Sequence, residues 1–152
     1  GRIGTVRAMA AALAAGADAV RVGTRFVSAV EAEAHEQYVS ALIHAEAVDT
    51  VYTEAFSVGW PDAPHRVLRS SLQAAEAQQV DIIGERVGRY TGKKFPVRRF
   101  EIGVPTTTTT GAIEAMPHWA GESVVGVKRV QPAADIVREM SGEAEELLKR
   151  WC

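Results

Sequence analysis

The chain has a single cysteine, Cys152, and it is the last residue, which excludes a disulfide framework and a cysteine-rich metal site. No apolar run approaches the roughly 20 residues that a membrane-spanning helix needs. The first residues lack the basic-then-apolar pattern of a signal peptide, so a cytoplasmic setting is expected. Neither sign of charge dominates. Seventeen basic and nineteen acidic residues leave a net charge of -2, which gives no electrostatic reason to expect nucleic acid or an anionic membrane as partner. There is no paired-carboxylate pattern and no metal-spaced cluster of His, Cys, Asp or Glu, so hydrolase and metalloenzyme readings have no support. What remains is the composition of an ordinary globular protein, 47% hydrophobic and 24% charged over 152 residues, enough for one domain with a real core.

Against that background, two glycine turns stand out. The first is Gly1-Arg-Ile-Gly-Thr5. The second closes the stretch Gly16-Ala-Asp-Ala-Val-Arg-Val-Gly-Thr-Arg-Phe26. Between them Thr5 caps a helix expected from Val6 to Ala15, which Gly16 ends. A short strand is expected around Ala19 to Val22, with Val20 and Val22 on one face and Ala19, Arg21 and Gly23 on the other. Two such turns at the ends of neighbouring parallel strands hold one phosphate between their backbone N–H groups. Gly23 leaves room for the approach, and Thr24 adds an N–H and a hydroxyl at the start of a helical turn. The spacing suits the last two units of a phosphate-binding (β/α)8 barrel. Because the sequence starts with Gly inside the first turn, a truncated chain is expected, with most of the barrel before residue 1.

Downstream, helical spacing returns from Ala34 to Ala45, and Asp49 to Phe56 favours a strand through its β-branched and aromatic content. Gly59 to Pro64 is a turn-rich loop, and His65 to Gln79 is expected as a helix. Between Val80 and Pro117 the pattern weakens to extended or loop structure, with a threonine run at 106–110 and a short helix at 111–116. Pro132 starts a final helix over Ala133 to Trp151, weakened by Gly142.

Several segments resemble the nitronate monooxygenase (2-nitropropane dioxygenase) family. They are Ala10-Ala-Ala-Leu-Ala-Ala-Gly-Ala-Asp18, Val22-Gly-Thr-Arg-Phe26, Ala34-His35 with Tyr38, Asp49-Thr-Val51, His65-Arg-Val-Leu-Arg69, Trp119-Ala-Gly-Glu-Ser123 and Pro132-Ala-Ala-Asp-Ile-Val137. The resemblance implies an α/β fold, the C-terminal fragment of an FMN-binding (β/α)8 TIM barrel with an inserted α+β substrate domain. Residues 1–48 would be the last barrel units, 49–131 the substrate or cap region, and 132–152 a helix returning to the barrel. The cofactor implied is FMN, its phosphate held by Gly1 and Arg2 in the first turn and by Arg21, Val22, Gly23 and Thr24 in the second. Arg2 stands where many members have a second glycine, and Val6 replaces another common glycine. The implied reaction is oxidation of an alkyl nitronate with dioxygen. The flavin-dependent enoyl-acyl-carrier-protein reductases share these motifs and form an alternative within the enzyme class. A non-catalytic barrel remnant acting as a binding module is the alternative outside it. The inosine monophosphate dehydrogenases share only the phosphate-turn segments.

The family's catalytic histidine belongs to an earlier barrel strand, so no catalytic residue is assigned in this chain, which alone is expected to be inactive. His118, Trp119 and Glu122 are the candidates for lining the substrate pocket, since their segment resembles the family loop that approaches the flavin. His35 is expected to pack or cap, His44 to sit near a helix end, and His65 to tie down the preceding loop. No metal is assigned, and homo-oligomerisation is left open.

Overall fold

The computed structural model describes residues 2–150. Gly1, a phosphate contact in the reading above, lies outside the described residues, as do Trp151 and Cys152 at the end of the expected last helix.

Helix α1 (Val6–Ala14) begins where the Thr5 hydroxyl accepts the Ala8 N–H at 3.2 Å, and Gly16 follows it at φ 94°. Its small alanine face lies against helix α5 (Ala133–Lys149), which starts after Pro132 and runs unbroken through Gly142. Ile136 and Met140 of α5 are buried with Ala29, and Ile3, Met9, Val22 and Phe26 close over them. The strand expected at Ala19 to Val22 is not formed. The alternation survives, with Val20 and Val22 half-buried between exposed neighbours, but no described strand runs beside it. A strand exists only through a neighbour's ladder of hydrogen bonds.

Helix α2 (Thr24–Val27) is one turn long, and helix α3 (Glu36–His44) starts where His35 Nδ1 accepts the Gln37 N–H at 3.2 Å. The His44 ring sits 2.8 Å from the Ser40 carbonyl in the last turn of α3. Tyr38 and Leu42 of α3 are buried with Leu68, Ala120, Val124 and Val127.

Strands β1 (Thr50–Thr53) and β2 (His65–Leu68) pair antiparallel, Val51 opposite Val67, and helix α4 (Arg69–Ala77) follows directly. The expected helix at His65 to Gln79 is therefore corrected at its start. Val67, Leu68, Leu72 and Ala75 satisfy a helical spacing, yet β1 on one side and Trp119 on the other supply sheet partners for the first four residues. The weakly patterned region after Val80 holds a second antiparallel sheet. Strand β3 (Ile82–Val87) lies between β4 (Lys94–Arg98) and β5 (Thr109–Gly111), so the end of the threonine run is a strand rather than a loop. Gly84 is required there, because a Cβ would strike the Thr110 carbonyl and the Met116 methyl. Ile83, Val97, Ile113, Ala115 and Met116 bury this sheet against Phe56, Val67 and Ala75.

Two glycines give opposite expectations. A Cβ at Gly126 would collide with the Gly4 backbone, whereas one at Gly142, inside α5, meets nothing within 4 Å. Gly126→Ala should lower stability by about 2 kcal/mol, and Gly142→Ala should raise it by roughly 0.5–1 kcal/mol. Urea denaturation of the two variants beside the parent protein measures both.

Candidate functional site

The two glycine turns meet on one short segment. Residues Glu122–Gly126 form a 3-10 turn, and the backbone of Gly4 lies so close to Ser123 and Gly126 that neither glycine has space for a side chain. From the second turn, the Thr24 hydroxyl accepts the Gly121 N–H at 3.0 Å. Both turns are thus fastened to the same place. Among the described residues, the backbone N–H groups of Arg2 to Thr5 and of Arg21 to Thr24 find no protein acceptor. Gly23 has φ -110°, which any residue tolerates, so its glycine is explained by space rather than strain, and a Cβ there meets nothing within 4 Å. An open glycine flanked by unpaired amides is the donor set that a phosphate dianion requires.

Glu122 sits between the turns. Its carboxylate pairs with Arg2 Nε at 2.8 Å and with Arg66 Nη2 at 3.4 Å, while Arg66 Nη1 donates to the Thr50 hydroxyl at 3.0 Å. Trp119 is half-buried. Its indole N–H donates to the Ile102 carbonyl, its own carbonyl accepts the Tyr38 hydroxyl at 2.7 Å, and its ring meets His65 edge-on at 4.6 Å. Burial pushes the Tyr38 phenol above its ordinary range.

His118 requires a correction: it does not face an open pocket in the described residues. The ring is 3% exposed, stacks on Tyr38 at 4.7 Å, and has Nε2 3.1 Å from the Ile113 carbonyl. That carbonyl only accepts, so Nε2 carries the proton, and Nδ1 is buried without a partner among the described residues. Desolvation pulls the imidazole down to about 4, so it is neutral at physiological pH. Two hydrogen bonds hold its backbone: its carbonyl accepts the Leu68 N–H, and its N–H donates to the Ser71 hydroxyl. His118 thus sets the path of the loop that carries Trp119 and Glu122.

Sequence reasoning missed Arg25, Arg66 and Tyr38. Arg25 is 3% exposed, and its Nη2 lies 3.4 Å from both Glu139 oxygens. Glu139 also accepts from Arg129 and Gln131, and the Gln131 hydrogen bond is the main cause of its lowered pKa. Arg21, by contrast, is exposed and unpaired among the described residues. No group of three or more potential metal ligands occurs among the described residues, and no described helix is long and apolar enough to cross a membrane.

Helices and strands arranged around the two glycine turns define a mixed α/β chain with the fold of part of a (β/α)8 barrel. Residues 1–143 match the nitronate monooxygenase family, and the chain belongs to it. It is 28% identical over 145 residues to a nitronate monooxygenase of Paraburkholderia phytofirmans, covering 93% of this chain and 36% of that protein. Two structures of FabK from Thermotoga maritima share the fold. A single-substitution variant matches with TM-score 0.59 and 25% identity over 98% of this chain and 40% of its own length. A second structure matches with TM-score 0.62 and 24% identity over 98% and 44%. The chain spans less than half the length of each of these relatives.

The neutral, buried imidazole sets a pH dependence. The folded pKa of His118 is depressed, so the unfolded chain binds the extra proton between pH 6.5 and about 4. The contribution is fully present above about pH 6.5 and is lost as pH falls toward 4, by roughly 3 kcal/mol in all. His118→Phe keeps a ring against Tyr38 and should flatten this part of the profile. Urea midpoints of parent and variant at pH 7 and pH 4.5 test it, and parallel falls in both would refute the assignment.

Proposed function

We propose that this chain holds the phosphate of FMN between its two glycine turns, as part of a flavin-dependent oxidoreductase that oxidises alkyl nitronates with dioxygen. One observation carries the reading. Two turns with unpaired backbone amides are fastened, through Gly4 and Thr24, to the same short segment at 121–126. Family membership supports the flavin and the reaction class.

In this reading the backbone of Gly1 and Arg2 contacts the phosphate from one side, and that of Arg21, Val22, Gly23 and Thr24 from the other. The chemistry that FMN supplies when bound is electron transfer from the nitronate to dioxygen; the protein contributes position and electrostatics. Trp119 and Glu122 lie on the loop nearest the turns and face the substrate side. His118 acts from behind that loop, holding it against α3. A second reading, reduction of an enoyl thioester, rests on the motifs shared with the enoyl reductases. Flavin reduction by a nitronate, set against NAD(P)H oxidation by an enoyl thioester, separates the two.

Gly23 supplies the direct test. Because its Cβ position is open and its φ is ordinary, Gly23→Val should fold while its branched side chain obstructs the phosphate. Flavin affinity should drop on the order of a hundredfold. His118→Ala should lose stability, by about 2–4 kcal/mol, through the cavity it leaves. Its folded fraction should keep its flavin. Flavin content per folded protein decides the matter, and loss from the His118 variant alone would place the phosphate elsewhere.

A further inference from the structure

We propose that the Arg2 side chain, and not only its backbone, grips the ligand's phosphate, and that Thr50, Arg66 and Glu122 form a relay that aims it. The proposal rests on the phosphate reading above.

The relay starts in the cap. Thr50 is buried on β1, and its hydroxyl accepts from Arg66 Nη1 on the facing strand β2. Arg66 Nη2 reaches one oxygen of Glu122, and the other oxygen takes Arg2 Nε. Arg66 therefore has both terminal nitrogens engaged and serves to orient the carboxylate. Arg2 is different. Its nearest contact is Nε, 2.8 Å from Glu122, its side chain is 85% exposed, and no hydrogen bond from its two Nη groups occurs among the described residues. A guanidinium held at Nε leaves its terminal donors free for an anion such as phosphate.

Position and charge agree. Arg2 lies in the first turn, and Glu122 is bonded to Gly121, whose N–H is held by Thr24 of the second turn. The Arg2–Glu122 pair therefore ties the first turn to the segment that also holds the second. One carboxylate between two guanidiniums leaves a net positive charge, which favours a dianion over a neutral group. The arginine that replaces a second glycine in this turn thus has a use for its side chain. Thr50, Arg66 and Glu122 are positioning residues; Arg2 is the contact.

The test compares FMN with riboflavin, the same ring system without the phosphate, by quenching of flavin fluorescence on the full chain at fixed ionic strength. The parent should prefer FMN. Arg2→Ala keeps the backbone N–H and removes only the side chain, so it should lower FMN affinity roughly tenfold and leave riboflavin unchanged. Arg2→Lys should show a similar loss, because an ammonium has neither the Nε that Glu122 holds nor the paired Nη donors. Equal losses for both flavins, or a lysine variant that behaves like the parent, would overturn the proposal. If the parent binds neither flavin, the FMN reading itself fails. Inorganic phosphate then serves as probe by ³¹P NMR: line broadening that disappears in Arg2→Ala supports the Arg2 grip, and broadening that is absent or indifferent to Arg2 overturns it.

Discussion

The contact between the Gly4 and Gly126 backbones is the constraint on which the site depends. Neither position has room for a Cβ, so the first turn and the 122–126 segment approach more closely than side chains would permit. That approach sets where α1 starts, and α1 packs on α5. The second turn reaches the same segment by a hydrogen bond, from the Gly121 N–H to Thr24. Two loops separated by the whole of α1 are thereby fastened to one segment, the arrangement on which the proposed anion site relies.

The segment that receives the turns is itself held from behind. Between Pro117 and Val124 the chain threads the core, and three of its backbone groups find partners inside the protein. The His118 carbonyl accepts from Leu68, the Ala120 N–H donates to Arg66, and the Trp119 carbonyl accepts from Tyr38. The loop is therefore an extra, irregular edge on β2, and β2 in turn brings Arg66 to Glu122. Stacking of His118 on Tyr38 ties this edge to α3. A loop built this way is rigid because its backbone groups are satisfied inside the protein rather than by solvent.

A second electrostatic node holds α2. The Arg25 guanidinium, one residue past Thr24, is almost wholly removed from water and faces Glu139 on α5, which also accepts from Arg129 and Gln131. Burying a guanidinium is costly unless a carboxylate with further hydrogen bonds faces it. The cluster thus fixes the one-turn helix behind the second glycine turn to the same long helix that supports the first. The two turns share α5 as a common floor.

Much of this was legible from local patterns. Thr5 and Gly16 bound α1, Pro132 starts α5, and His35 caps α3, because caps and glycine ends act within one turn of chain. The two turns could be read as a phosphate pair because their spacing matches a strand-loop-helix repeat. Other features are long-range by nature. His65 to Leu68 reads as helix by its spacing and is a strand because β1 and Trp119 stand beside it. Residues 19–22 keep a strand's alternation without a ladder, since pairing requires a neighbour. His118 sits beside two residues near the turns, yet its own ring points into the core, where Tyr38, 80 positions earlier in the chain, stacks on it. The sequence by itself determined the caps, the helix ends and the two turns, which depend on adjacent residues. Only the tertiary structure decided that the turns share one segment and that Arg2 and Arg66 meet at Glu122, because such contacts arise when distant parts of the chain pack together.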